Sequence, residues 1–275
     1  MKKIVYSAIS IFSIFIYTVT AANAIELKVI TAEAPAHIAL SESGENKECE
    51  EGDILSVGDM LYTGEGGYAV ISVGGDPAHL LKVRENSTAY AVSRGDEKMA
   101  IMQGSLLAVL EDWNEKEEFY VNTPFAVCGV RGTGWSIKNI ARTTLIEVFD
   151  GKVYVTTAIG EEPLKNPGIF VEKGYSIIVS EKNGILEKEK LDNGRLSELR
   201  EEAGLLVEVS REAYRNDISL KEVLMNEKRM QIINNKLENA DRRVMDRMDR
   251  MRAATPMPSP VLMRKKEERK GPKGR

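Results

Sequence analysis

Two histidines and two cysteines, His37, His79, Cys49 and Cys128, are the side chains of this chain best suited to metal or nucleophilic chemistry. None of them lies at the spacing of a local zinc site, which needs ligands clustered in pairs. A cysteine nucleophile needs a base in reach, and no motif sets either histidine beside a cysteine. Glu147 and Asp150 do not form a glycosidase pair, because one belongs to a strand and the other to its turn. The chain holds no Gly-x-Ser-x-Gly, no phosphate loop and no metal box. The expectation is a protein without catalysis, metal or cofactor. With 38 Lys+Arg against 42 Asp+Glu, a formal net charge of −4 gives no electrostatic reason to expect nucleic acid as a partner.

The start of the chain bears on its destination. Lys2 and Lys3 precede an apolar run from Ile4 to Val19, and Ala22-Asn23-Ala24 then offers the small-x-small pattern of a signal-peptidase site. This predicts a signal peptide over 1–24, cleavage after Ala24, and an exported, periplasmic mature chain with no integral membrane segment. No cysteine adjoins the cut, which argues against a lipid anchor. Export permits a disulfide between Cys49 and Cys128. Cys49 sits in the charged stretch Glu48-Cys49-Glu50-Glu51, which reads as exposed loop, and Cys128 in an apolar segment. Two separate thiols therefore stand as an equal alternative to the bridge.

From Ile25 to Lys188 short apolar runs alternate with Gly, Asn, Asp and Pro, the pattern of short strands. Asp150-Gly151, between Thr143–Phe149 and Lys152–Thr157, suits a two-residue turn needing positive φ and predicts a hairpin. Asn183-Gly184 repeats the device. Thr144, Ile146 and Val148 share one face, which Val153 and Val155 continue into the same core. The fold class expected is mainly β, a sandwich or jelly-roll-like domain over 25–188.

A helical extension follows over 189–254. Leu196, Leu199, Ala203, Leu206 and Val209 fall at helical spacing up to the polar Arg215-Asn216-Asp217. Ser219-Leu220-Lys221-Glu222 reads as a capping box opening a second helix. Within it Met230, Ile233, Leu237, Ala240 and Val244 form a heptad seam suited to self-association or to a partner helix. Residues 255–275, Pro-punctuated and then basic, read as a disordered tail.

The most distinctive stretch runs Asn122-Thr123-Pro124-Phe125-Ala126-Val127-Cys128-Gly129-Val130-Arg131-Gly132-Thr133-Gly134-Trp135. Pro124 keeps Thr123 extended and suits a strand start. The glycines mark bends or close approaches. This stretch resembles the FecR domain, whose hallmark is a Thr-Pro pair followed by Gly-Val-Arg-Gly-Thr. Gly58-Asp59, Leu61-Tyr62-Thr63-Gly64, Asn86-Ser87, Gly104-Ser105-Leu106, Val148-x-x-Gly151-x-Val153 and Gly174 match further landmarks over Leu55–Val179. Gly75-Asp76-Pro77 departs from the family's Asp-Gly-Ser. The resemblance implies that Thr123, Pro124, Gly129, Val130, Arg131, Gly132 and Thr133 are mainly structural. Arg131 either clamps strands through an internal carboxylate or backbone carbonyls, or grips a ligand carboxylate.

The family's iron-regulating transducers carry a cytoplasmic anti-sigma segment before a membrane span, whereas here a leader precedes the domain directly. The expected function is therefore a non-enzymatic periplasmic interaction or scaffolding module with an envelope protein as partner. Relay of an iron or siderophore signal is one alternative. Binding of cell wall or polysaccharide through Trp135, Tyr62 and Tyr68 is another.

Overall fold

Among the described residues, alternating apolar residues bounded by glycine-rich turns produce seventeen strands and one long helix. The computed structural model describes residues 26–94, 97–113, 119–130, 132–158, 167–185, 188–216, 219, 220, 223 and, further on, Arg242, Arg243, Met245, Met248 and Arg250. The leader with Ala24, Arg131, the seam residues Met230, Ile233, Leu237, Ala240 and Val244, and the tail lie outside the described residues. The chain forms two compact units, Met1–Val223 and Leu224–Arg275. In the second, the five described residues are helical.

In the first unit the strands are β1 (Leu27–Glu33), β2 (Ala36–Ala39), β3 (Asn46–Glu48), β4 (Met60–Thr63), β5 (Tyr68–Val73), β6 (Asp76–Val83), β7 (Ser87–Arg94) and β8 (Glu97–Leu110). They continue with β9 (Phe119–Asn122), β10 (Ala126–Val130), β11 (Gly134–Ile140), β12 (Thr143–Asp150), β13 (Lys152–Thr157), β14 (Gly168–Glu172), β15 (Tyr175–Ser180), β16 (Gly184–Ile185) and β17 (Glu189–Lys190). Helix α1 (Asn193–Asn216) follows.

Two sheets result. Sheet A runs β1-β5-β6-β8-β11-β12-β15, with β16 and β17 both on the far edge of β15. Sheet B runs β3-β2-β4-β7-β8-β9-β10-β13-β14. Every pair is antiparallel except β8–β9. The inner faces share one core, in which Val29, Ile71, Leu81, Trp135, Ile146 and Val148 of sheet A meet Ile38, Leu61, Ile101, Val121, Val153 and Val155 of sheet B. This is the expected mainly-β sandwich, and strands that bend from one sheet into the other close it.

β8 makes the change within a single strand. Its first half pairs with β7 and β9, and from Gly104 onward it pairs with β6 and β11. Gly104 has φ +88, and its inward residues shift from Met99 and Ile101 to Leu106, Ala108 and Leu110. A Cβ there would stand 2.5 Å from the Ser87 Cα. Neighbouring corners interlock: Thr63 Oγ1 donates to the Arg84 carbonyl at 2.5 Å, and the Ser105 N–H donates to Ser87 Oγ at 2.9 Å.

The opposite edge carries a second row of corners, and here the structure corrects the sequence. Asp150-Gly151 is no hairpin, because β12 pairs with β11 and β15 while β13 pairs with β10 and β14. Gly151, at φ +68, carries the chain from sheet A to sheet B, where a Cβ would stand 2.8 Å from the Gly132 carbonyl oxygen. The Lys173 N–H donates to the Gly151 carbonyl at 3.0 Å, stacking the third corner on the second. A two-residue hairpin forms instead at Ala141-Arg142, at φ 47 and 69, between β11 and β12. Asn183-Gly184 does mark a hairpin, although Gly184 already pairs with Ser180 inside β16.

Asp192 caps α1, accepting from the Arg195 N–H at 2.9 Å. The helix is described as far as Asn216, within the polar stretch, and belongs to the same compact unit as the strands. Val223 N–H reaches the Ser219 carbonyl at 3.4 Å, while the Ser219 hydroxyl donates to Glu51. Among the described residues no helix is long and apolar enough to cross a membrane.

The corner geometry predicts unequal costs for two glycines of positive φ. Gly74→Ala, with nothing within 4 Å of the new methyl, should lose only the left-handed penalty of about 1–2 kcal/mol. Gly104→Ala adds the clash with Ser87 and should lose roughly 3 kcal/mol or more. Urea unfolding of both variants checks this, and equal losses would show that the β8 bend is not tightly packed.

Candidate interaction surface

The signature residues are positioned by corners and by one close approach. Thr123 closes the β9–β10 turn, with its hydroxyl accepting from the Ala126 N–H at 2.9 Å. The same hydroxyl meets Thr144 Oγ1 on β12 at 2.8 Å, and Thr144 donates onward to Asn139 at 3.2 Å. Pro124 occupies the turn after β9, a place without a ladder bond to lose. Val130 is buried in the core, and Gly132, at φ +63, makes the β10–β11 corner. Thr133 is buried, its carbonyl accepts from the Leu110 N–H at 3.0 Å, and its hydroxyl has no partner among the described residues.

Gly129 has a different task. A Cβ there would stand 2.5 Å from the Tyr120 ring, so the glycine lets that ring lie across β10. Register places Tyr120, Gly129, Tyr154 and Phe170 in one row across β9, β10, β13 and β14. The Tyr154 and Phe170 rings lie 5.2 Å apart, and Lys152 Nζ sits 4.3 Å from the Phe170 ring centre. Phe170 is 50% exposed. This row, on the outer face of sheet B, is the candidate interaction surface. The aromatics expected for sugar stacking lie elsewhere: Trp135 is fully buried in the core, and Tyr68 is pushed up to about 12 by burial and then by Glu33. Tyr62 alone of those three is exposed.

The outer face of sheet A is closed instead. Leu199, Ala203, Leu206, Val207 and Val209 of α1 are buried, as are the outward Val70, Leu80, Leu107, Val109, Leu145 and Phe149 of the sheet. Each Leu or Val so buried contributes roughly 1.5–3 kcal/mol. Charged groups are set among them. Glu202 accepts from Arg84 at 2.7 Å and from Lys82 at 3.3 Å. Arg195 grips Glu147, with Nη2 at 2.7 Å and Nε at 3.1 Å from the two carboxylate oxygens. Burial works against the Glu202 carboxylate, but Arg84 and Lys82 outweigh it and hold its pKa below the ordinary 4.5. Arg200 Nε donates to the Phe149 carbonyl at 3.1 Å.

Sequence reasoning missed this seam because Lys82, Arg84 and Glu147 alternate with core residues, as a solvated face does. The available signal was the apolar residues sharing that outward face, too many for a surface in water.

The remaining candidates separate. Cys49 and Cys128 are free thiols, both buried and both in the core cluster, so the bridge does not form and the loop around Cys49 is not exposed at that residue. Burial pushes both thiols up to about 12, far from a reactive thiolate. His37 is exposed on β2, and His79 Nε2 lies 2.7 Å from the Glu111 carbonyl with its ring against Trp113. Asp150 pairs with Lys173 at 2.9 Å, and Glu147 is committed to Arg195. Asp59 is buried and ties two loops, accepting from the Ser41 and Ser56 N–H groups at 2.8 Å each. Among the described residues no cluster of three His, Cys, Asp or Glu side chains could hold a metal ion. A cleft of about 810 Å³ lies between β1 and the end of α1, lined by Lys28, Glu51, Ser72, Pro77, Ala213 and Tyr214.

Residues 59–154, from Asp59 to Tyr154, match the family model of the FecR protein. Over those residues the chain is similar to a FecR domain. The match takes in the corners at Gly104, Gly132 and Gly151, the aromatic Tyr120 and Tyr154, and the sheet side of the charged seam, while Pro35, the corner at Lys173 and α1 lie outside it. No curated protein matches the chain. Two crystal structures of a candidate anti-sigma factor from Parabacteroides distasonis, at 1.65 and 2.50 Å resolution, are similar at 17% identity with a TM-score of 0.40. The likeness covers 50% of this chain and 63% and 62% of theirs, less than two thirds of their length.

Glu202 is the residue on which the seam turns. Glu202→Ala leaves Lys82 and Arg84 buried without their carboxylate and should cost roughly 3–5 kcal/mol. A carboxylate with a depressed pKa supplies stability that is full above its unfolded value and is lost as pH falls through the folded one. Wild-type stability should therefore fall below about pH 4.5, and Glu202→Gln should flatten that limb. Urea midpoints from pH 3 to 7 check both, and an unchanged acid limb in Glu202→Gln would remove Glu202 from the account.

Proposed function

We propose that this chain is a non-catalytic, exported component of the bacterial envelope whose FecR domain regulates by binding another protein. The observation that carries the reading is the contrast between two sheet faces. Sheet A has its outer face sealed by α1, whereas sheet B presents a row of aromatics with Phe170 half exposed. An exposed aromatic suits a protein-binding surface, where rigid rings supply contact area at low entropy cost. The FecR match supports a place in signal relay, and the leader-like residues 1–24 support an exported location. A second reading has the same aromatic row stack on polysaccharide, as flat rings also favour sugar faces.

In-cell crosslinking with mass spectrometry tests the proposal, comparing the full chain with one stopped after Val223 at the end of the first compact unit. The expected outcome is one prominent envelope protein captured by both chains. Capture only by the full chain would move recognition to residues 224–275. No captured protein, with retention of the purified chain on cell-wall material, would replace the proposal by the polysaccharide reading.

A further inference from the structure

Gly75-Asp76-Pro77, where the sequence departs from the FecR pattern, takes no part in the surface described above. It lies in the turn from β5 to β6. Gly74 and Gly75 stand at φ 66 and 74, the left-handed pair of a type I′ turn, and the Gly74 N–H donates to the Glu26 carbonyl at 2.8 Å. Val73 pairs with Asp76, and the next rung joins Ser72 to Leu80. Pro77, Ala78 and His79 therefore stand opposite no residue of β5, as a bulge beside the turn. Bulges re-aim side chains and gather next to sites of chemistry.

The groups in this bulge suit the breaking of one particular bond. A carboxylate can act as a nucleophile, and that of an aspartate can close a five-membered ring on its own backbone carbonyl carbon. Asp76 is held for this: its Oδ1 accepts from the Ala78 N–H at 2.8 Å, an Asx turn whose hydrogen-bonded ring encloses the Asp76–Pro77 bond. Its other oxygen, Oδ2, lies 3.8 Å from His79 Nδ1. The His79 ring is fixed from two further sides, by the Glu111 carbonyl 2.7 Å from Nε2 and by the Trp113 ring, with centroids 4.9 Å apart. A carbonyl only accepts, so Nε2 carries hydrogen, and Nδ1, on the side of Asp76, is the atom that takes up and gives a proton. The charged side chains tied to this corner are Asp76 and, after β8, Glu111, whose carboxylate pairs with Arg211 of α1 at 2.5 Å. Water reaches the turn: Asp76 is exposed, and nothing stands within 4 Å of a Cβ at Gly74 or Gly75.

We infer that the chain cleaves itself between Asp76 and Pro77. A carboxylate oxygen of Asp76 attacks the Asp76 backbone carbonyl carbon and forms the C–O bond of a cyclic anhydride. The C–N bond to Pro77 breaks, its electron pair goes to the nitrogen, and that nitrogen takes the proton of protonated His79, leaving as a secondary amine. Water then adds to the anhydride carbonyl, and the ring C–O bond breaks to restore the side-chain carboxylate. Of the two protons released, one returns to His79 and the other goes to the Pro77 amine. One water is consumed, and nothing is oxidised or reduced. The reaction runs once per chain, so it stands beside the non-catalytic function proposed above and does not depend on it. Both fragments stay seated, because β5 keeps its ladder with β1 and β6 its ladder with β8. The new ends open on the cleft between β1 and the end of α1, which Gly75 and Pro77 line.

Histidine changes charge between about pH 5 and 8, so the full chain is purified in urea at about pH 8 and refolded at about pH 6 with protease inhibitors. Denaturing mass spectrometry and N-terminal sequencing follow the products. The expected result is one fragment ending at Asp76 and one beginning Pro77-Ala78-His79. Aspartyl–prolyl bonds hydrolyse slowly in any acidic peptide, so the same chain kept in urea at the same pH sets the baseline. Held geometry should make the folded chain cleave at least about tenfold faster than that. A positioned proton donor contributes on the order of a hundredfold, so His79→Gln should slow cleavage by roughly ten- to a hundredfold. Asp76→Ala and Pro77→Ala should stay whole, with circular dichroism confirming that each variant folds. Hydroxylamine should trap the anhydride as a hydroxamate on Asp76. A folded chain that stays intact, equal rates folded and in urea, or cleavage at this bond in Asp76→Ala overturns the inference. A folded His79→Gln that cleaves as fast as the parent overturns it too, and if that variant does not fold, absence of the hydroxamate does so in its place.

Discussion

Every strand that leaves one sheet for the other must turn a corner without abandoning its backbone bonds, and this constraint organises the molecule. A buried, unpaired N–H or C=O costs more than a typical hydrogen bond gains, so corners cannot be loose. Here they are stacked so that each satisfies the next. Pro35, Thr63, Arg84, Ser87 and Ser105 lie in linked corner bonds along one edge, and along the other the Lys173 N–H donates to Gly151, which packs close against the Gly132 carbonyl. Hydroxyls appear where a backbone group would otherwise be orphaned, and glycines where two backbones approach within the radius of a methyl. Two residues of the FecR-like signature are explained by this: Thr123 joins a turn of sheet B to β12 of sheet A, and Gly132 fits beneath Gly151.

Such corners are poorly legible in a sequence, and the misread turn shows why. Asp-Gly supplies positive φ, which a two-residue hairpin needs and which a change of sheet needs equally. The local chemistry at Gly151 was read correctly, and the inward positions Ile146, Val148, Val153 and Val155 do share one core. What could not be read is whether the strand after the turn pairs with the strand before it, because that choice is made by β10 and β15, which lie elsewhere in the chain. The converse error is Ala141-Arg142, a hairpin without turn residues, forced into positive φ by the pairing of long strands on both sides. Helix α1 was legible in phase, since 3.6-residue periodicity is local. Its docking was not, because the charges that receive it are spread over β6 and β12.

Those charges bear on specificity more than on stability. Buried ion pairs seldom outperform well-packed apolar groups, since desolvation consumes most of the attraction. Here Arg195 and Glu202 stand seven residues apart, two turns along one face of α1, and their partners Glu147 and Lys82/Arg84 are fixed on separate strands. A purely apolar helix could slide by a turn on Val70, Leu80, Leu107 and Leu145 at little cost. Sliding this one would break both pairs together and strand four or more buried charges. The seam thus fixes a single register for α1, which neither the helix periodicity nor the apolar sheet face would specify alone.

The closing of one face gives meaning to the other. An antiparallel sandwich can leave both outer faces in water if strands alternate cleanly. Sheet A does not alternate cleanly and is covered. Sheet B places Tyr120, Tyr154 and Phe170 in a single row and leaves Gly129 between them without a side chain. Were that row only surface, a glycine inside β10 would be a poor choice, since it weakens a strand and packs nothing. Its presence is accounted for by the Tyr120 ring that lies over it, so the same signature that turns the corner at Gly132 also shapes the outer face at Gly129. In this domain the residues that make the fold possible and those that form the aromatic surface are therefore neighbours on one strand, and the surface cannot be altered there without touching the frame.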